Sequence, residues 1–263
     1  NGNITFSSTV DGAQSLSLTA GTGNVDLQGA VGGVALSGLT VVSATTARFG
    51  GNVTTTGAQS VTATTIQTNG THQTTNTNIT LTGNVTLQAG TALNTGAGAG
   101  NVTVTGTVDG GVGLTVSAGT GAVSLSGVVG GTTALLALTV GGSTITTAGI
   151  GGAAAGVSGA TALTATTSVT FSGTTYWANG ATYDAGAAGN NLNMSAGALT
   201  TFTASADVIT FIGTIQLSAG TDLVVNTAGA ALAVGAVQGT GAQSVTLRST
   251  DITLGGRSRG SGR

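Results

Sequence analysis

Short segments with apolar residues two apart, and Thr, Ser or Asp between them, recur from one end of the chain to the other. Asn3-Ile4-Thr5-Phe6 is the first, and Asn24-Val25-Asp26-Leu27, Asn78-Ile79-Thr80-Leu81, Asn84-Val85-Thr86-Leu87 and Asn101-Val102-Thr103-Val104 repeat it. A sister form opens on Gln-Ser, as in Gln59-Ser60-Val61-Thr62 and Gln243-Ser244-Val245-Thr246. This period of two predicts half-buried strands, and the Gly and Asn residues between the segments predict tight turns. The segments come at a roughly constant interval. Val25 follows Ile4 by 21 residues, Val102 follows Val85 by 17, Val123 follows Val102 by 21 and Val53 follows Val25 by 28.

A longer copy lies over the short one. Ala20-Gly21-Thr22-Gly23 returns 98 residues later as Ala118-Gly119-Thr120-Gly121, and Thr9-Val10-Asp11-Gly12 as Thr107-Val108-Asp109-Gly110. Residues 5–41 and 103–140 thus form a degenerate super-repeat. Repetition of Gly-punctuated strands predicts a β-solenoid, in which each coil buries its apolar face against the next. An interval near 20 residues predicts a coil of that length. About 13 coils at the inter-strand spacing of roughly 4.8 Å then give a rod of about 60 Å. Tandem immunoglobulin-like sandwiches are the alternative, since 98 residues suits one such domain. They rank second because residues 1–140 contain neither Trp nor Pro.

Composition narrows the class. Charged residues make up 5% of the 263, against roughly 25% in ordinary soluble domains. All seven acids are Asp and all five cations are Arg. The residues that favour helices are scarce, whereas Val, Thr and Ile favour strands. A mean hydropathy of +0.40 and a net charge of −2 speak against disorder and against nucleic acid as a partner. The densest apolar run, Ala134 to Val140, is far too short for a membrane-spanning helix. The chain opens on Asn1 and reads as a processed or excised piece. One continuous solenoid is expected over 1–255, with an irregular aromatic insert near 171–184 and a flexible Arg/Gly/Ser tail over 256–263.

The Asn-[Val/Ile]-Thr strands, the Ala-Gly-Thr-Gly and Val-Gly-Gly turns and the Thr-Val-Asp-Gly units resemble the filamentous-haemagglutinin-like and giant β-strand-repeat surface proteins of bacteria. The resemblance covers about residues 1–140 and 200–255. It implies a secreted, right-handed parallel β-helix at the cell surface, acting as an adhesin or a fibre. The family's secretion domain carries an Asn-Pro motif, which a chain without proline does not contain.

Reactive side chains are few. His72 is the single histidine, and with no Cys or Glu to partner it, it reads as a solvent-facing loop residue. The Asp residues read as turn formers that bond their own backbone. Neither catalytic residues nor a cofactor nor a metal site is expected. Tyr176, Trp177 and Tyr183 are the candidate ligand contacts, as a sugar-stacking patch on the rod. Asn-x-Thr/Ser at Asn3, Asn52, Asn69, Asn78, Asn84, Asn101 and Asn193 follows from turn-then-strand repetition without any glycan. Thr arrays such as Thr54-Thr55-Thr56 suit an ice-binding solenoid only if they share one face, and along the sequence their register wanders.

Neither end shows a polar capping repeat, and no Lys or Pro blunts an edge strand. The first expectation is therefore a non-catalytic surface-fibre segment that self-associates head to tail through uncapped ends. An adhesin binding glycan or a host surface comes second. An ice-binding solenoid and a polysaccharide-active β-helix enzyme rank below both.

Overall fold

A computed structural model describes residues 2–187 and 189–255; the expected tail over 256–263 lies outside them. The described residues form strands and turns, with no helix, and every strand pairing is parallel. The fold is a β-solenoid of about 11 turns.

Three ladders of inward residues run the length of the rod. The first begins Ile4–Val25–Ala47–Ile66 and ends Tyr176–Phe202–Val225–Leu247, twelve rungs in all. The second starts at Val10–Val31–Val53, passes through His72 and Leu93, and reaches Tyr183 and Phe211. Leu16–Leu39–Gln59–Ile79 opens the third, which continues to Val237. Each coil visits the three faces in turn. Gln59–Gln73 and Ile79–Asn94 do so as single bent strands.

The coil is longer than the sequence interval suggests. Ile4 and Leu247 are 243 residues and eleven steps apart, about 22 residues per coil rather than 20. Eleven steps also shorten the ladder to about 53 Å. The reason is that one motif serves all three faces. Val85 belongs to the first ladder and Val102 to the third, so their short interval measures part of a coil. The 98-residue copy is out of phase in the same way. Ile4 lies on the first face and Val102 on the third, while Val10 lies on the second and Val108 on the first.

Burial supplies the cohesion. Val25, Val53, Ile66, Ile79, Val102 and Ile145 are fully buried, each contributing about 1.5–3 kcal/mol. The expected aromatic insert is not an insert. Tyr176 and Tyr183 occupy ordinary rungs of the first and second ladders, and Phe171 a rung beside the third. Tyr176 stacks on Phe202 one coil on, with centroids 4.8 Å apart and planes 16° apart. That distance is the inter-strand spacing itself, so the coil pitch brings the rings into contact.

Corners are held by the Asn that opens each motif. Asn3 Oδ1 accepts from the Asn24 amide at 2.9 Å, and Asn24 Oδ1 from the Thr46 amide at 3.1 Å. Asn78 and Asn101 continue the scheme to the Asn101 and Ala122 amides. A side chain here satisfies a backbone donor of the next coil that the strand ladder does not reach.

At Gly83 the coils approach too closely for any side chain. Its φ is +136°, and an added Cβ would lie 1.8 Å from the Ala63 carbonyl oxygen. Gly83→Ala is expected to destabilise the rod by about 1–3 kcal/mol or more, read as a lower denaturant midpoint. Gly90→Ala, where nothing lies within 4 Å, serves as the control and should leave the midpoint nearly unchanged.

Candidate functional site

The three candidate ligand contacts do not form a patch. Adjacent strand residues face opposite sides, so Tyr176 and Trp177 part company at once. Tyr176 is 0% exposed and Tyr183 1% exposed, both inside the rod among Phe171, Phe202 and Phe211. Tyr176 Oη donates to the Thr147 carbonyl at 2.9 Å and accepts from the Gly173 amide at 2.8 Å. Burial pushes both phenols well above their ordinary range, and the two are core residues. Trp177 alone faces outward, half-buried, with Nε1 donating to Ser205 Oγ at 3.2 Å. Beyond it on the first face, successive rungs carry Thr203, Asn226 and Arg248.

His72 also lies elsewhere than its sequence context suggests. It is not in a solvent-facing loop but in the strand Gln59–Gln73, 0% exposed, between Val53 and Leu93 on the second ladder. Gln59 takes the corresponding place in the third ladder, between Leu39 and Ile79. Two polar residues thus replace two apolar rungs in one coil, and they bond to each other. Gln59 Nε2 donates to the Gln73 carbonyl at 2.9 Å and the Val53 carbonyl at 3.2 Å, which leaves Oε1 as an acceptor toward His72 Nδ1 at 3.0 Å. Nδ1 therefore carries the proton, and Nε2 accepts from Thr68 Oγ1 at 2.6 Å. The edge of the Phe49–His72 contact closes the group, with centroids 5.0 Å apart. Every polar atom of the imidazole is satisfied in the neutral form. Burial alone pushes its pKa down to about 4. A sealed imidazole offers no approach to a substrate; this network is structural.

The acids also behave differently from the turn formers expected. Asp11 Oδ1 accepts from the Val34 amide, Asp109 Oδ1 from the Thr132 and Thr133 amides, and Asp222 Oδ1 from the Ser244 amide. Each reaches the following coil, as the Asn residues do. Asp184 and Asp207 do bond local backbone, to Gly186 and Val208. Asp26 accepts from Gln28 Nε2 and pairs with Arg48 at 2.9 Å, and these contacts lower its pKa. Among the described residues no three His, Cys, Asp or Glu side chains come together as a metal site, and no helix is long and apolar enough to cross a membrane.

Compared with known proteins, the chain matches no family model, no curated protein and no solved structure.

The buried network sets an acid limit on stability. A free histidine protonates near pH 6.5, whereas His72 resists until about 4. Between those values the unfolded chain binds a proton that the folded chain does not, so stability falls as pH falls. The loss is about 3 kcal/mol at about 1.4 kcal/mol per pH unit, complete near pH 4. The lowered carboxylates Asp26 and Asp222 give up their contribution only as pH falls below about 3.8, outside that window. Urea denaturation from pH 7 to 4 should show this slope in the native chain. His72→Leu alone should cost about 1–3 kcal/mol at pH 7 by stranding Gln59 and Thr68. Adding Gln59→Ile should recover much of that loss and remove the slope.

Proposed function

We propose that the chain is a non-catalytic structural segment of an extracellular bacterial surface fibre, in which copies stack end to end. One observation supports this reading: the first and last described coils present the same ladder edges and apolar side chains that join internal coils to one another. Ile4, Phe6, Val10 and Leu16 are only half-buried at one end. At the other, Val245 is 41%, Ile252 40% and Leu254 66% exposed, although their counterparts in internal coils are sealed. These terminal rungs carry the same backbone donors, acceptors and apolar side chains that join each coil to its neighbour. A second copy seated on them continues all three ladders. Because the two ends are different surfaces, the contact does not close on itself and a filament results. Charge opposes this little, with few ionised groups along the whole rod.

The adhesin reading retains one support. Trp177 is an outward aromatic ring on the first face, with Thr203, Asn226 and Arg248 spaced one rung apart beside it. That row offers a stacking platform and hydrogen-bonding groups along the axis, a fit for a short oligosaccharide.

Light scattering and electron micrographs of the purified chain should show rods that lengthen with concentration. Ile252→Lys, which places a charge in the open terminal rung, should hold the chain as single units. Monomers alone at high concentration would argue against stacking. For adhesion, Trp177→Ala should weaken retention on immobilised glycans severalfold while leaving the melting curve intact.

A further inference from the structure

The third face differs from the other two in what it presents to solvent. Its central outward column runs Ser17, Thr40, Ser60, Thr80, Thr103 and Ser124, and Thr146 and Thr170 extend it. Eight successive coils thus present a hydroxyl at the same height on the same face. Two residues beyond Ser60, Thr80, Thr103 and Ser124 lies a second column, over four successive coils. Thr62 pairs with Thr82, and backbone bonds from the Thr105 and Ser126 amides to Leu81 and Val104 carry that column onward. The register that wanders along the sequence is constant in space.

Among the described residues, charge is absent from this face. Asp26, Arg48, Asp109, Asp222 and Arg248 lie on the first face, and Asp11, Asp184 and Asp251 on the second. Asp207 sits at the corner between those two, beside Val208 and before the strand Ile209–Ile212. No aromatic ring projects from the third face either, since Trp177 belongs to the first. An open trough of about 440 Å³ runs along its edge, lined by hydroxyls of four successive coils from Ser43, Thr62, Thr64, Thr82 and Thr105.

We propose that this third face binds ice, by holding water in a lattice that matches the crystal. The hydroxyls repeat every 4.7–4.9 Å across rungs and about 6.6–6.8 Å along each strand. Oxygen atoms on the prism plane of hexagonal ice repeat at nearly the same two distances. Each hydroxyl both donates and accepts, as a lattice water does, and each Thr adds a methyl group beside it. Ionised side chains would impose their own hydration shells, and none lies on this face among the described residues. The backbone ladder fixes the array before any water binds, so little ordering cost remains at the interface. The trough supplies room for a row of water molecules at roughly 30 Å³ each. A crystalline polysaccharide is the other periodic, hydroxylated surface of comparable pitch, but a face with no aromatic ring lacks the stacking surface that sugar rings favour. The neutral array therefore points to water.

Nanolitre osmometry and uptake into slowly grown ice test the proposal on the purified chain. The native protein should shape ice crystals, separate the freezing from the melting temperature and be enriched in the ice fraction. Thr103→Tyr sets a ring in the middle of the array at a strand position that tolerates aromatics. It should abolish the freezing gap while the circular dichroism and melting curve stay unchanged. Thr139→Tyr, outward on the second face, should retain the gap. The proposal is overturned if the native chain neither shapes ice nor enters it, or if both variants lose activity equally. It is also overturned if the chain is excluded from ice but retained on microcrystalline cellulose through Thr103.

Discussion

Parallel backbone pairing at one strand spacing per coil is the constraint from which the other features descend. It places each residue directly over a counterpart about 22 positions away, so side chains are selected by column rather than by neighbourhood in sequence. Inward columns become apolar ladders, outward columns become rows of like polar groups, and corners become places where backbone meets backbone. The rings of Tyr176 and Phe202 touch because the ladder sets that distance, not because either residue seeks the other. The same rule explains the sparse chemistry. A rod whose cohesion is spread evenly over its coils needs no large central core, and its Ala, Val, Thr and Ser side chains fit a narrow interior.

One coil departs from this economy. His72 and Gln59 stand where Val, Leu or Ile would continue the ladders, and they are accommodated only because each supplies what the other lacks. Gln59 bonds one carbonyl group of its own coil, at Gln73, and one of the preceding coil, at Val53, and the imidazole is left with one donor and one acceptor, both used. A fully paired polar cluster of this kind ties two of the three faces together across the interior. Apolar contacts, which tolerate sliding, would do so less specifically.

Much of the architecture was legible from alternation alone. Ile4, Val25 and Val123 fall inside because their polar neighbours alternate with them, and Gly and Asn mark the corners. Coil length was less accessible, since Val85 and Val102 look alike yet belong to different faces. His72 resembles a loop residue because Thr71 and Gln73 flank it in a polar triplet; its inward phase shows only in its alignment with Val53. Tyr176 and Trp177 carry a signal of their own in the sequence: neighbours in a strand point apart. The Asn and Asp contacts to the next coil leave no local trace, because their partners lie 19 to 26 residues away and are backbone amides, which every residue offers.

The out-of-phase copy of 98 residues has a consequence for how such chains change length. A duplication that lands on a different side of the rod would wreck a globular fold, where each segment is shaped to a single setting. Here the copied strands simply take up the next vacant position in the winding, and the helix closes over them. Growth and shrinkage can thus proceed in fractions of a turn, with no need for the break points to agree with the pitch.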